Sequence, residues 1–522
     1  MRTLLVGRAV VTGRGRVGDA VLIDDTAVVD VGTSDDLTRH RPDRVKRVEG
    51  VIVPGFRDAH LHLVPYAAML YGCSLKSATD IEDVVTRLRR YAATVATDRP
   101  VVAVRADDET VAERRLPTRH DLDRVASDRP VVTYRYCGHI AAVNSAALRA
   151  AGIDAVTPDP DGGTIDRGPD GAPTGVLRET AMELLGRTLT RTQDAEPAMI
   201  VDAAHRLAGL GITSVGAMIG YGDDRSAVLD QEVRTLTAVA PHLPIRVGTF
   251  AITDDPTALE DSKRLIDAAD GLVRWLGVKR FSDGSLGGHT AAMDAPFCDR
   301  ATSGTLRLTN RDVAIVRHAL ALGGMAAIHA IGDRAVGAVI DVFEDLVGHG
   351  ADPTLLRVEH VSVGNAELFD RFSDVGVHAV VQPAFLASET DWLETRLGAD
   401  RLRWTYAFRS MIDRDIPLAG SSDSTVEPPD PLWGMAAAMD RCGLVPKERV
   451  TGVEALRMFT DGGAAALREP VPLSPGSPAD LAILDVDPTT ATADEIRNGS
   501  VWSTWVDGTE LEIDRTLPTW VD

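Results

Sequence analysis

His60 and His62 stand two residues apart in the run PGFRDAHLHL, at the end of the apolar stretch 51–56. On a strand, residues two apart point to the same side, so both imidazoles can reach one point, as a metal ion requires. Four more residues that can ligate a metal or move a proton each close a later apolar run. They are Lys279 in GVKRFSDGSLGG, His329 in AAIHAIGDRA, His360 in RVEHVS and Asp423 in AGSSDS. Each has a bland alternative. A single histidine at a strand end can be a hydrogen-bonded core residue, and Asp423 can cap the turn in Ser421-Ser422-Asp423-Ser424. A buried Lys279 must be paired (Asp283 is near in sequence), neutral or modified. The joint occurrence of all six is what favours a shared site.

The elements that must position them alternate. Candidate strands are 51–56, 212–218, 245–252, 276–281, 325–329, 355–360, 378–382 and 416–421. Helical patterns lie between them, among them 199–210, 311–322, 335–347 and 366–375. Eight such units predict a (β/α)8 barrel of the TIM type. A doubly wound sheet is the alternative, but no GxGxxG follows the first strand. In a barrel the C-terminal strand ends face the site. His60 and His62 then end strand one, Lys279 four, His329 five and His360 six, and Asp423 follows strand eight.

Short strands are also expected at both chain ends, at 3–6, 20–23 and 27–31, and at 479–485 and 501–506. Neither end can close a core alone. The expectation is a composite β-sandwich domain from residues 1–54 plus 468–522, with a barrel at 55–467 between them. Residues from about 65 to 198 form an insertion after strand one, expected to roof the active site. It carries a helix at 79–96, begun by a Thr79–Glu82 capping box, with Ile81, Val84, Val85 and Leu88 on its apolar face. Strands are expected at 101–105 and 131–136.

The chain has 55 Lys+Arg against 77 Asp+Glu, a formal net charge of −22, which argues against nucleic acid or an anionic membrane as partner. Cys73, Cys137, Cys298 and Cys442 form no CxxC and read as free thiols of a reducing compartment. Arg8 and Arg14 interrupt any signal-peptide core, and no apolar run is long enough to span a bilayer. A cytoplasmic protein with a small-molecule substrate is expected; a homodimer is an admissible assembly.

The order of motifs resembles the amidohydrolase superfamily and, within it, the YtcJ-like branch, the amidohydrolase 3 family. PGFRDAHLHL is followed by DRPVVTYRYCGHIAAVNSAALRAAGI and GGTIDRGPDGAPTGVLRETA. GVKRFSDGSLGG, HAIGDRAV, RVEHVS, VVQPAF and AGSSDS come next, and SPGSPADLAILD closes the series. The resemblance implies that His60 and His62 bind one metal, that Lys279 is N-carboxylated and bridges two, and that His329 and His360 bind the second. Asp423 would bind the first and act as base toward a water activated between the ions. Zinc is the default metal for such ligands, with iron, manganese or cobalt as alternatives. Two positions depart from the pattern: Cys137-Gly138-His139 stands for Asp-Gly-His, and His289 stands where arginine is common. His139 is a candidate catalytic or substrate contact; His289, Trp433 and Phe385 are candidate pocket residues, and Glu179 a candidate support.

The expected function is metal-dependent hydrolysis of a C–N bond in a small amide, N-acyl, N-formyl or cyclic amide compound. The rivals are a mononuclear deaminase of a ring amidine and a catalytically inactive binding relative.

Overall fold

The computed structural model describes residues 1–136, 138–160, 162–185, 197–220 and 232–514. Eight parallel strands form the central sheet: β1 (Phe56–Leu61), β2 (Ile212–Gly220), β3 (Arg246–Ile252), β4 (Val273–Phe281), β5 (Met325–Ala330), β6 (Leu356–His360), β7 (His378–Val381) and β8 (Leu418–Gly420). Each pairs in parallel with the next, in chain order. β8 comes round beside β1 without a hydrogen-bonded ladder, so the barrel is nearly closed.

The apolar runs explain the layers. Strands buried on both faces need continuous Val, Ile, Leu and Ala, and β2 is buried at every position. The intervening helices bury one stripe each. Ala366–Val375 starts on an Asn365 cap and buries Leu368, Phe369, Phe372 and Val375. It ends where Gly376 takes φ +74°, a left-handed turn that costs glycine little.

The first strand differs from the sequence expectation. The apolar run 51–56 does not form one strand. Val51–Pro54 pairs antiparallel with Leu481–Leu484 in a separate sheet, and β1 begins only at Phe56. Proline cannot donate a ladder hydrogen bond, so Pro54-Gly55 is where the chain leaves one sheet for the other. That separate sheet joins both chain ends, in the order Thr509–Glu510, Val501–Val506, Leu481–Leu484, Val51–Pro54, Arg2–Thr12, Gly15–Asp24, Ala27–Gly32. Leu5, Val10, Val21, Ile52, Leu481, Ile483 and Trp505 cluster on one of its faces.

Between β1 and β2 the chain builds a third sheet of six strands: Cys73–Ser74, Val101–Ala106, Val131–Arg135, Ile140–Val143, Gly163–Arg167 and Pro173–Glu179. Its helix runs Ile81–Ala92 and buries the expected face. The cap lies one residue later than expected. Asp80, not Thr79, accepts from the backbone of the third helical residue, Asp83, whose carboxylate accepts in turn from Thr79 N. No helix among the described residues is long and apolar enough to cross a membrane.

Candidate metal centre

Ligand atoms of His60, His360 and Asp423, all three residues buried, lie within 4.8 Å of one another at the C-terminal mouth of the barrel. His60 sits near the end of β1, with Nε2 3.4 Å from Asp423 Oδ1. That nitrogen is buried and has no hydrogen-bond partner among the described residues. His62 lies just past the strand, on the residue that caps the helix Leu63–Leu70, with Nε2 3.3 Å from the same oxygen. His360 ends β6, and His329 lies on β5 with its ring centroid 4.5 Å from that of His360. Lys279, on β4, is 1% exposed.

The backbone is bent to bring these groups together. Asp423 has φ +54° and His360 φ +77°, both costly for residues with a Cβ, at about 1–3 kcal/mol each. On a regular strand Glu359 and His360 would face opposite ways. Here both reach His60: Glu359 by a hydrogen bond and His360 with ring centroids 5.1 Å apart. Asp423 N donates to His60 O at 2.9 Å, and His62 N to Ser424 O at 2.7 Å, tying the two loops together.

Around the cluster, polar partners fix the rings. Glu359 Oε2 lies 2.5 Å from His60 Nδ1, and a carboxylate only accepts, so Nδ1 carries the proton and Nε2 keeps its lone pair. Glu359 is itself held by Arg357, through Nε at 2.5 Å and a terminal nitrogen at 2.8 Å. Neither Arg357 nor Glu359 is exposed. His360 Nδ1 faces Gln382 Oε1 at 2.7 Å. The amide is oriented because its nitrogen donates to Ser421 Oγ, which donates onward to Val381 O. His329 Nε2 donates to Gly284 O at 2.8 Å and lies 3.2 Å from Asp283. Asp283, the sequence candidate for pairing Lys279, accepts instead from the backbone of Ala292, Ile331 and Gly332. Asp58 accepts from Ser422 N and Oγ and anchors the loop that carries Asp423.

Burial sets the protonation. It pushes the His60 and His360 imidazoles well below their ordinary value, helped for His60 by Lys279 and for His360 by His329. Both are neutral and available as ligands. Burial also lowers the Lys279 ammonium to about 8, against the partial opposition of Glu359 and Asp423. For Asp423 burial alone would raise the pKa, but His60, His62 and Lys279 outweigh it and hold the carboxyl below its usual range.

The remaining sequence candidates divide. His139 enters from the insertion, its ring centroid 5.6 Å from His329, with Nδ1 2.9 Å from Glu179. Glu179 also accepts from Thr290 Oγ1 and Arg307. Phe385 stacks on His360 at 6.2 Å with 13° between the planes. His289 is turned to Asp299 at 3.0 Å and packs edge-on against Phe297. Trp433 lies on the helix Pro431–Asp440 with the Arg497 guanidinium 5.6 Å from its ring. Cys137 is outside the described residues. Asp58, Arg357, Glu359 and Gln382 were missed in the sequence. The signal available for the middle pair was two charged residues, spaced by two, inside an apolar strand.

An amidohydrolase family profile matches residues 49–511. The chain is 28% identical over 491 residues to the putative amidohydrolase YtcJ of Bacillus subtilis, covering 90% of this chain and 91% of that protein. It is 28% identical over 554 residues to the N-substituted formamide deformylase of Arthrobacter pascens, covering 99% of each. A crystal structure of an uncharacterized metal-dependent hydrolase from Pyrococcus furiosus superposes with a TM-score of 0.73 at 28% identity, covering 94% of this chain and 100% of that one. A profile match across nearly the whole length, on a parallel barrel of eight strands, establishes that the chain belongs to the amidohydrolase family.

Proposed function

We propose that this protein is a metal-dependent hydrolase that cleaves a C–N bond in a small amide, with N-formyl and N-acyl amines as first candidates. The observation that carries the reading is the buried, unpartnered Nε2 of His60 beside Asp423 and His360. A neutral imidazole nitrogen buried without a partner is costly, and a divalent ion satisfies it. His60, His62 and Asp423 would hold one ion and His329 and His360 a second. Lys279, as a carbamate, would serve both. Zinc fits this donor set, as do iron, manganese and cobalt. When bound, the ions supply a Lewis acid and a water of lowered pKa.

The chain's own groups supply the rest. Asp423 is ionised at neutral pH, so it can accept the proton of the attacking water and pass it to the leaving nitrogen. Lys279 with a pKa of about 8 has roughly a tenth of its amine neutral at pH 7, enough to add carbon dioxide, where an ordinary lysine has well under a thousandth. His139, oriented by Glu179, would contact the substrate carbonyl from the roof. The likeness to a formamide deformylase over the full length supports the choice of substrates.

The test is elemental analysis after exhaustive dialysis, with turnover of N-substituted formamides, N-acyl amino acids and cyclic imides. About two divalent ions per chain and turnover of at least one class are expected. One ion per chain with unmodified Lys279 would favour deamination of a ring amidine. No bound metal and no turnover would leave a binding protein.

A further inference from the structure

Beside the histidine cluster lie two buried carboxylates that the proposed chemistry does not use. Glu389 is on the helix Phe385–Leu397, one turn after Phe385 and therefore on the same face. Phe385 stacks on His360, so this face looks toward the cluster. Glu389 Oε2 accepts from Tyr406 Oη at 2.6 Å, and the Tyr406 ring meets Phe385 edge-on at 6.4 Å. Glu427 is four residues beyond Asp423 in the loop after β8 and is 5% exposed. Its Oε1 is buried with no hydrogen-bond partner among the described residues. The two carboxylates come from different elements, a helix after β7 and the loop after β8, and repel each other.

Arg105 and Lys76 offset part of the Glu427 charge, and Arg396 and Arg135 part of that on Glu389. Even so, burial pushes Glu389 up to about 7 and raises Glu427. Ser388 also hydrogen-bonds to Glu427, yet one of its oxygens has no donor among the described residues, so the two acids match a ligand that brings N–H donors and positive charge.

We infer that Glu427 and Glu389, beside Tyr406 and Phe385, form a subsite for an alkylammonium or guanidinium group, so that the substrates are small amides carrying a second, protonated nitrogen. The aromatic rings would pack on the alkyl chain and the carboxylates would take the charged end. The substrate class rests on the hydrolase reading; the subsite itself does not.

The experiment has two arms, each run on the intact chain with E427Q and E389Q beside it. In the first, 1,4-diaminobutane and 1-butanol are titrated calorimetrically. The diamine should bind and the alcohol should not, and each variant should weaken the diamine by about tenfold or more. In the second, kcat/KM is compared for N-formyl-1,4-diaminobutane and the neutral N-formylpentylamine. The wild type should prefer the cation by about tenfold or more, and E427Q should reduce that ratio to within about threefold of unity. Diamine binding lost in the variants, with neither formamide turned over, would uphold the subsite and count against the formamide reading. Absence of diamine binding in the wild type, or binding and preference unchanged in both variants, overturns the inference even if formamides are hydrolysed.

Discussion

Replacing Glu359 by glutamine keeps the side chain's shape and removes its charge, and two separable losses should follow. The first is stability. The Arg357 guanidinium is wholly buried, and its carboxylate partner is Glu359. Leaving such a charge uncompensated costs about 3–5 kcal/mol. Arg357 also donates to Ala59 O and Ala466 O, so the lower end, about 3 kcal/mol, is expected. The second is metal affinity. The glutamine carbonyl is needed by Arg357, which turns its amide N–H toward His60 Nδ1 and favours the tautomer with the proton on Nε2. That nitrogen then cannot ligate. Supporting partners of ligand histidines are worth about 10–100-fold in affinity. The assays are urea unfolding of chelator-treated protein and zinc competition against a chromophoric chelator. R357M/E359Q removes both charges and should recover most of the stability. It should recover affinity as well, since the glutamine carbonyl is then free to accept from Nδ1. E359Q within about 1 kcal/mol of wild type in stability and about twofold in affinity would refute the reasoning.

Four other outcomes are expected. Asp423→Asn should keep the fold and lower turnover by about a hundredfold or more, and near-normal turnover with normal metal content would remove Asp423 from the mechanism. Lys279 has a folded pKa of about 8 against an ordinary 10.5, so between these values the unfolded chain binds more protons and stability of the metal-free protein rises with pH. Below about 8 the full penalty, about 3 kcal/mol, is present, so metal-free Lys279→Met should be the more stable protein at pH 7 and lose that advantage near pH 10.5. A flat difference across that range would contradict a buried, strained ammonium. In the metal-loaded enzyme Lys279→Ala should lose activity, with acetate or propionate restoring part of it against a chloride control; full activity without rescue would end the bridging role. Deleting residues 479–522 removes the partner strand of Val51–Pro54 and should give insoluble protein, whereas a soluble, active truncation would show that the ends fold independently.

The barrel was legible because its strands are continuous apolar runs and its helices carry one-sided periodicity. The residues at the strand ends were legible because charged and imidazole groups stand out against such runs. What escaped were features set by partners distant in the chain. The run 51–56 is apolar throughout, yet Val53 pairs with Ala482 while Phe56 opens the barrel. Apolarity says that a residue is buried, not which sheet buries it. Strand alternation turns Glu359 away from His360, and the left-handed backbone at His360 brings both to His60, a bend that the sequence RVEHVS does not announce. Trp433 is a pocket candidate by type alone, and nothing in its local sequence foretells that Arg497, from the far end of the chain, lies 5.6 Å from its ring.

The seam between β8 and β1 has a consequence for how the protein is made. Seven of the eight strand junctions carry ladders, and the eighth is held by loop contacts such as Ser422 to Asp58, 364 residues apart in sequence. His60 and His62 leave the ribosome early and Asp423 late. During most of synthesis the histidines therefore face an unfinished barrel, with no carboxylate opposite them. The centre cannot exist in any partial product ending before β8, and closing so long a loop is a slow step. On the proposed metal-hydrolase reading, metal acquisition would thus be a late event in the life of the chain, occurring as the last strand docks, and the ion would stitch shut the junction where the backbone ladder is missing.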